Sequence, residues 1–128
     1  MITAASVGTL VDTSVWVAFF RGQPGAKQLA EFCAGNAALL HPWVLGELLL
    51  GGLSAQNRTL LDSLDRVPEP STDDLLSAIV THQLSSRGIG LVDVAIVHAA
   101  LSEQLRIWTF DKPLGDVARE VGISLADA

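Results

Sequence analysis

A chain of 128 residues, 49% of them hydrophobic and 17% charged, carries enough apolar surface for one core, which argues against a disordered segment or a solvated coiled coil. Its net charge of −6 offers no basic footprint to a phosphate backbone, which argues against a general nucleic-acid coat protein, although acids that hold metal cations can reverse that field locally. No apolar run reaches the roughly eighteen uninterrupted residues of a membrane span, the start "MITAASVG" lacks the basic residues of a secretion signal, and the single Cys33 can form neither an internal disulfide nor a zinc knuckle, so the expected location is the cytoplasm.

In chain order, "TLVD" predicts a short strand. The stretch after it, "TSVWVAFFRG", fits strand or helix by periodicity alone. It is read as a helix that starts near Thr13 or Ser14 and stops near Gly22, because Pro24 suits the first position of a second helix running to Gly35. "AALLH" reads as the second strand. Pro42 then opens a helix, "PWVLGELLLGG", closed by Gly51 and Gly52. Leu at helical spacing over residues 54–65 predicts a hairpin partner, and Pro68 and Pro70 confine "RVPEP" to an edge strand or turn. "STDDLLSAIVTHQLSSRG" predicts a helix capped by Ser71 or Thr72, with Asp73 and Asp74 at its positive end. A turn and a helix follow in "GIGLVDVAIVHAALSEQL", with Asp93 in the first turn. "RIWTF" is a strand ending at Asp111, "KPLGDVAREVG" the last helix and "ISL" a final strand. This alternation is the mark of βα units and a mainly parallel sheet in one domain, residues 1–128, without repeat or linker.

Four carboxylates sit among apolar neighbours that predict burial: Asp12, Glu47 in "VLGELLL", Asp93 in "GLVDVAIV" and Asp111 after "IWTF". The crevice of an open parallel sheet lies at the carboxyl ends of its strands. Asp12 and Asp111 fall there by position, and Glu47 and Asp93 can lean over the same edge from helices. Two like charges about 4 Å apart, at an effective dielectric of about 20, repel by roughly 4 kcal/mol. Such a cluster therefore needs basic side chains, shared protons or bound metal. Lys112 adjoins only one of the four acids, and oxygen ligands without His or Cys suit hard cations such as Mg²⁺ or Mn²⁺. Each acid also has a plainer reading: a helix cap or first-turn acid for Asp12 and Asp93, a helix surface for Glu47, a turn in "FDKP" for Asp111.

"LVDTSVWV", "ELLLG", "GIGLVDVAIVHAAL" and "WTFDKPL", in that order, resemble the PIN domain and, more narrowly, the VapC-like toxins of bacterial toxin–antitoxin pairs. The resemblance runs from about Thr9 to Ser124, leaving residues 1–8 as a short extension. It implies an α/β fold, a three-layer α/β/α sandwich with a central mainly parallel sheet. It also implies an acidic quartet at Asp12, Glu47, Asp93 and Asp111, with Thr13, Ser14 and Thr109 as polar support. The implied activity is an Mg²⁺- or Mn²⁺-dependent endoribonuclease using metal-activated water and leaving a 5′-phosphate and a 3′-hydroxyl. The implied partners are an RNA substrate, a VapB-like antitoxin that can place a basic side chain in the acidic pocket, and a second copy of the chain. A mean hydropathy of +0.41 is compatible with such interfaces. Arg87 and Lys112 are candidates to touch RNA phosphate, and Asp116 has no assigned role.

Three rivals are weighed. A phosphoacceptor domain of receiver type wants adjacent acids after its first strand, whereas Thr13 and Ser14 follow Asp12. A haloacid dehalogenase-like phosphatase wants a second Asp where Ser14 stands. A non-catalytic PIN-like interaction module would keep the fold alone. His41, His82 and His98 are read as structural, Trp16, Trp43 and Trp108 as core or partner contacts, and Cys33 as a small core residue.

Overall fold

Three short parallel strands organise the chain, in a computed structural model that describes residues 8–127. All but Gly8 of the expected extension over residues 1–8 lies outside the described residues. Strand β1 (Thr9–Val11) is central, flanked by β2 (Ala38–Leu39) and β3 (Arg106–Trp108), with Leu10 opposite Leu39 on one side and Ile107 on the other. Every residue of β1 is buried. Burial without alternation is the mark of a parallel strand whose two faces are both covered by helices.

The helices are α1 (Thr13–Phe20), α2 (Leu29–Ala34), α3 (Pro42–Gly51), α4 (Ala55–Asp62), α5 (Thr72–Thr81), α6 (Leu91–Glu103) and α7 (Lys112–Glu120). Helix α6 packs on β1 and β3 and carries α5, α2 lies against β2, α7 against β3, and α1 against α3. The result is the expected α/β sandwich around a parallel sheet. Helix α6 is apolar nearly all round, with Val94 to Val97, Ala99 and Ala100 buried, the pattern of a helix enclosed in a core. Its alanines let it approach the sheet closely. Among the described residues no helix is long and apolar enough to cross a membrane.

The caps anticipated from the sequence set most boundaries. Ser71 accepts from Asp74 N at 3.0 Å to open α5, Pro42 occupies the first turn of α3, and Gly52, with φ of 91°, closes it. Elsewhere the elements are shorter than expected. The helix anticipated from Pro24 to Gly35 divides into a 3₁₀ turn, Pro24–Ala26, and α2. The bonds there, Ala26 N to Gln23 O and Lys27 N to Pro24 O, close i to i+3 rings that do not propagate an α-helix. "RVPEP" and "ISL" each contribute one parallel bridge, Leu40 with Arg66 and Ile107 with Ser124. "RIWTF" leaves the ladder after Trp108 because Phe110 N–H turns to Ser14 Oγ at 3.0 Å.

This topology positions the chemistry. The carboxyl ends of β1 and β3 share one edge, Asp12 N donating to Trp108 O at 2.9 Å, and α1 and α7 begin immediately beyond them.

Candidate active site

Asp12 follows directly on β1 and caps α1. It is 5% exposed, and its Oδ2 accepts from Ser14 Oγ at 2.7 Å, Thr109 Oγ1 at 2.8 Å and, at 3.4 Å, Ser14 N. Two hydroxyls and the positive end of α1 therefore compensate a carboxylate that has no basic neighbour in the sequence. All of these bonds fall on Oδ2. Among the described residues Oδ1 has no hydrogen-bond partner, and it is not among the buried atoms left without one. It is thus open for a further ligand.

Asp111 lies one strand away, at the start of α7. Its Oδ2 accepts from Leu114 N at 3.1 Å, and its own N–H donates to Thr109 Oγ1 at 3.0 Å. Thr109 thus links the two acids, donating its hydroxyl to one and accepting from the backbone of the other. Ser14 makes a second link: it donates to Asp12, accepts from Phe110 N, and stands 3.4 Å from Thr109 Oγ1. Asp93 sits in the first turn of α6, where its Oδ2 accepts from Gly90 N at 3.2 Å. Glu47 comes from the middle of α3 and accepts a 2.6 Å hydrogen bond from Thr13 Oγ1.

The four acids are in electrostatic contact. Burial raises the Asp93 carboxyl above its ordinary value, its bond from Gly90 opposes this, and the charges of Asp12, Asp111 and Glu47 push it higher still. Among the described residues, however, no group of three or more His, Cys, Asp or Glu side chains is placed so that it could hold a metal ion. Each carboxylate is held by its own hydroxyl or amide: Asp12 by Ser14 and Thr109, Glu47 by Thr13, Asp93 by Gly90 N–H and Asp111 by Leu114 N–H.

Two sequence expectations need correction. Glu47 and Asp111 are exposed and Asp93 is half-buried; only Asp12 is buried. Glu47 escapes because α3 turns a leucine face outward beside it, with Leu50 91% exposed, so the apolar flanks do not enclose the acid. The cap and cluster readings are also not exclusive. Asp12, Asp93 and Asp111 all stand at helix N-termini, and the positive ends of three helices help such acids coexist.

The remaining candidates occupy other surroundings. Arg87 pairs with Glu120 at 2.8 Å and Lys112 with Asp116 at 2.9 Å. Asp116 also pairs with Arg119 at 2.6 Å, so it belongs to an ion network on α7, where the bonds from Lys112 and then Arg119 hold its carboxyl below the ordinary range. His41 is fully buried and caps α3, its Nδ1 accepting from Trp43 N at 2.9 Å. Sequence reasoning gave Ser14 only a supporting role and missed its bond to Phe110. Its spacing, two residues after a capping Asp, is the available signal.

Comparisons with known proteins bear on this geometry. The PIN domain family model matches residues 9–120. Ribonuclease VapC32 of Mycobacterium tuberculosis is 35% identical over 121 residues, spanning 92% of this chain and 96% of that protein. A toxin–antitoxin complex from Klebsiella pneumoniae contains a chain that superposes with a TM-score of 0.62 at 20% identity, over 80% of this chain and 86% of that one. A crystal structure from Pyrobaculum aerophilum superposes with a TM-score of 0.60 at 19% identity, over 98% and 100%. At these identities the solved structures speak for the fold.

Proposed function

The chain belongs to the PIN domain family, and on that premise we propose that it is an endoribonuclease, the toxin of a bacterial toxin–antitoxin pair. It works in the cytoplasm as a single domain and a homodimer, and Asp12, Glu47, Asp93 and Asp111 hold Mg²⁺ or Mn²⁺. The observation that carries the reading is the arrangement of oxygen ligands. Asp12 and Asp111 are joined through Thr109, Glu47 is bonded to Thr13 beside Asp12, and the charges of all three reach Asp93, with no basic side chain paired to any of the four among the described residues. The relative at 35% identity is a ribonuclease by name, and a neighbour in fold comes from a toxin–antitoxin complex.

The donor set fits a hard divalent cation. It is all oxygen, Asp12 Oδ1 is open, and Mg²⁺ keeps several waters and needs only one or two direct carboxylates. When bound, such an ion supplies an acidified water and neutralises charge on the phosphoryl oxygens.

The chain's own part is positioning. Ser14 and Thr109 fix the Asp12 carboxylate by its far oxygen, Thr13 fixes Glu47, and the first turns of α6 and α7 fix Asp93 and Asp111. Water adds in line to phosphorus and the 3′-oxygen departs with a proton, leaving a 5′-phosphate and a 3′-hydroxyl. An antitoxin that extends a basic side chain into the same gap would block it, by complementary charge. The receiver and phosphatase readings have no support once the family is known.

The test is expression in a bacterium of the wild-type chain and of Asp12→Asn, with new RNA 5′ ends mapped in both. Growth arrest and cleavage with the first alone support the reading. Equal behaviour of the two removes it and leaves a non-catalytic module.

A further inference from the structure

Beside the acids lies a cavity of about 300 Å³, the lower end of the size range of small-ligand sites. It shares a wall with them: Thr13 and Glu47, joined by their 2.6 Å hydrogen bond, both line it. Val17 and Phe20 supply apolar lining, the Phe20 ring being stacked on Trp16 with centroids 5.8 Å apart. Two further polar side chains, Arg21 and Asn57, line it beside the leucines and glycines of α3 and the loop after it.

Both are uncommitted. The chain has eight Lys and Arg residues. Arg58, Arg66, Arg87, Lys112 and Arg119 are ion-paired, and Arg106 donates to Gly122 O. Among the described residues the guanidinium of Arg21 has no such partner, although the chain is acidic overall and Glu47 lines the same cavity. Lys27 is likewise unpaired but lines a separate hollow with Phe19 and Pro24. Asn57 uses its backbone N–H to bond Ser54 Oγ at 3.1 Å, and its side-chain amide has no partner among the described residues.

We propose that this cavity is a nucleobase subsite for single-stranded RNA, taking the nucleotide next to the scissile phosphate, with Arg21 gripping a phosphate and Asn57 reading the base edge. An aromatic and aliphatic lining, one amide and one guanidinium correspond to the face, the edge and the phosphate of a nucleotide, the three features by which unpaired RNA is recognised. The shared wall at Glu47 sets the register: of the two phosphates that flank a base held here, one lies toward the acids and the other toward Arg21. The inference rests on the ribonuclease reading and gives it a determinant of cleavage-site choice.

The experiment compares the wild-type chain, Arg21→Ala, Asn57→Ala and Lys27→Ala. Binding of a fluorescein-labelled, randomised single-stranded RNA is followed by anisotropy in EDTA across a salt series, and cleavage of the same pool in Mn²⁺ is sequenced. Arg21→Ala is expected to weaken binding about tenfold with a shallower salt dependence, and to raise KM with little change in kcat. Lys27→Ala should bind as wild type, and Asn57→Ala should flatten the base preference beside the cut. The proposal is overturned if Arg21→Ala binds as tightly as wild type, which would leave the cavity to a protein partner. It is overturned equally if Lys27→Ala loses as much affinity, or if Asn57→Ala cuts with an unchanged base pattern. Failure of the ribonuclease reading is seen separately, as a wild-type chain that binds RNA through Arg21 and never cuts it.

Discussion

Acidification should destabilise the protein through a residue outside the acid cluster. His41 is fully buried at the N-terminus of α3, its Nδ1 occupied by Trp43 N–H and its Nε2 without a hydrogen-bond partner. Protonation would break the cap and bring a charge into the core at the positive end of a helix. Burial accordingly lowers its pKa from 6.5 to about 4, with Glu69 offsetting part of the effect. The unfolded chain takes up the proton near pH 6.5 and the native chain does not until about pH 4, so stability falls as pH drops through that window. At about 1.4 kcal/mol per pH unit the loss reaches about 3 kcal/mol by pH 4. The assay is urea unfolding from pH 7 to pH 4 in EDTA, for the wild-type chain and for His41→Asn, which keeps a capping oxygen and cannot titrate. The raised Asp93 carboxyl acts with the opposite sign, favouring the folded chain as pH falls through its range, but it is common to both proteins and cancels in the difference. His41→Asn should be less stable at pH 7 and show a slope shallower by about 1 kcal/mol per pH unit between 6.5 and 4. Parallel slopes would refute the reasoning.

Three further outcomes follow from the acid site. Asp111→Asn keeps an acceptor for Leu114 N and should leave stability within about 0.5 kcal/mol while abolishing cleavage, whereas Asp111→Ala should also cost about 1 kcal/mol in a urea melt. Asp93→Asn removes a carboxyl raised in part by its three acidic neighbours, so the metal-free protein should melt at a higher temperature while its stabilisation by Mn²⁺ shrinks, both read in one thermal-shift series. Ser14→Ala deletes the hydroxyl that joins Asp12 to Phe110 N. It should cost about 1–3 kcal/mol in unfolding and reduce kcat more than it raises KM, because the Asp12 carboxylate loses its orientation.

The sequence carried the element order and most helix starts because those depend on local chemistry. Pro42, Ser71 and the Gly51–Gly52 pair act within a turn of where they sit, and Leu10, Val11 and the run "VAIV" are apolar for the reason that they are buried. The strand lengths were less legible. Whether Phe110 N–H joins the ladder or bonds Ser14 is settled by a residue 96 positions away. The same limit applies to the acids. Apolar neighbours suggested burial for all four, yet a side chain at the sheet edge can be exposed whatever flanks it, as Glu47 and Asp111 are. The capping role that competes with a metal role in a one-dimensional reading coexists with it in three dimensions, since a helix start at a strand's carboxyl end puts its capping acid over the crevice. Arg21 and Asn57 carried no signal, because only the packing of α1 beside α3 and α4 makes them neighbours of Glu47.

The most direct test is anomalous diffraction from crystals soaked in Mn²⁺. A peak between Asp12, Glu47, Asp93 and Asp111, within ligand distance of Asp12 Oδ1 and absent in Asp12→Asn crystals, is the predicted result. A wild-type crystal with Mn²⁺ bound only elsewhere, or with the four carboxylates unoccupied at saturating Mn²⁺, would contradict it.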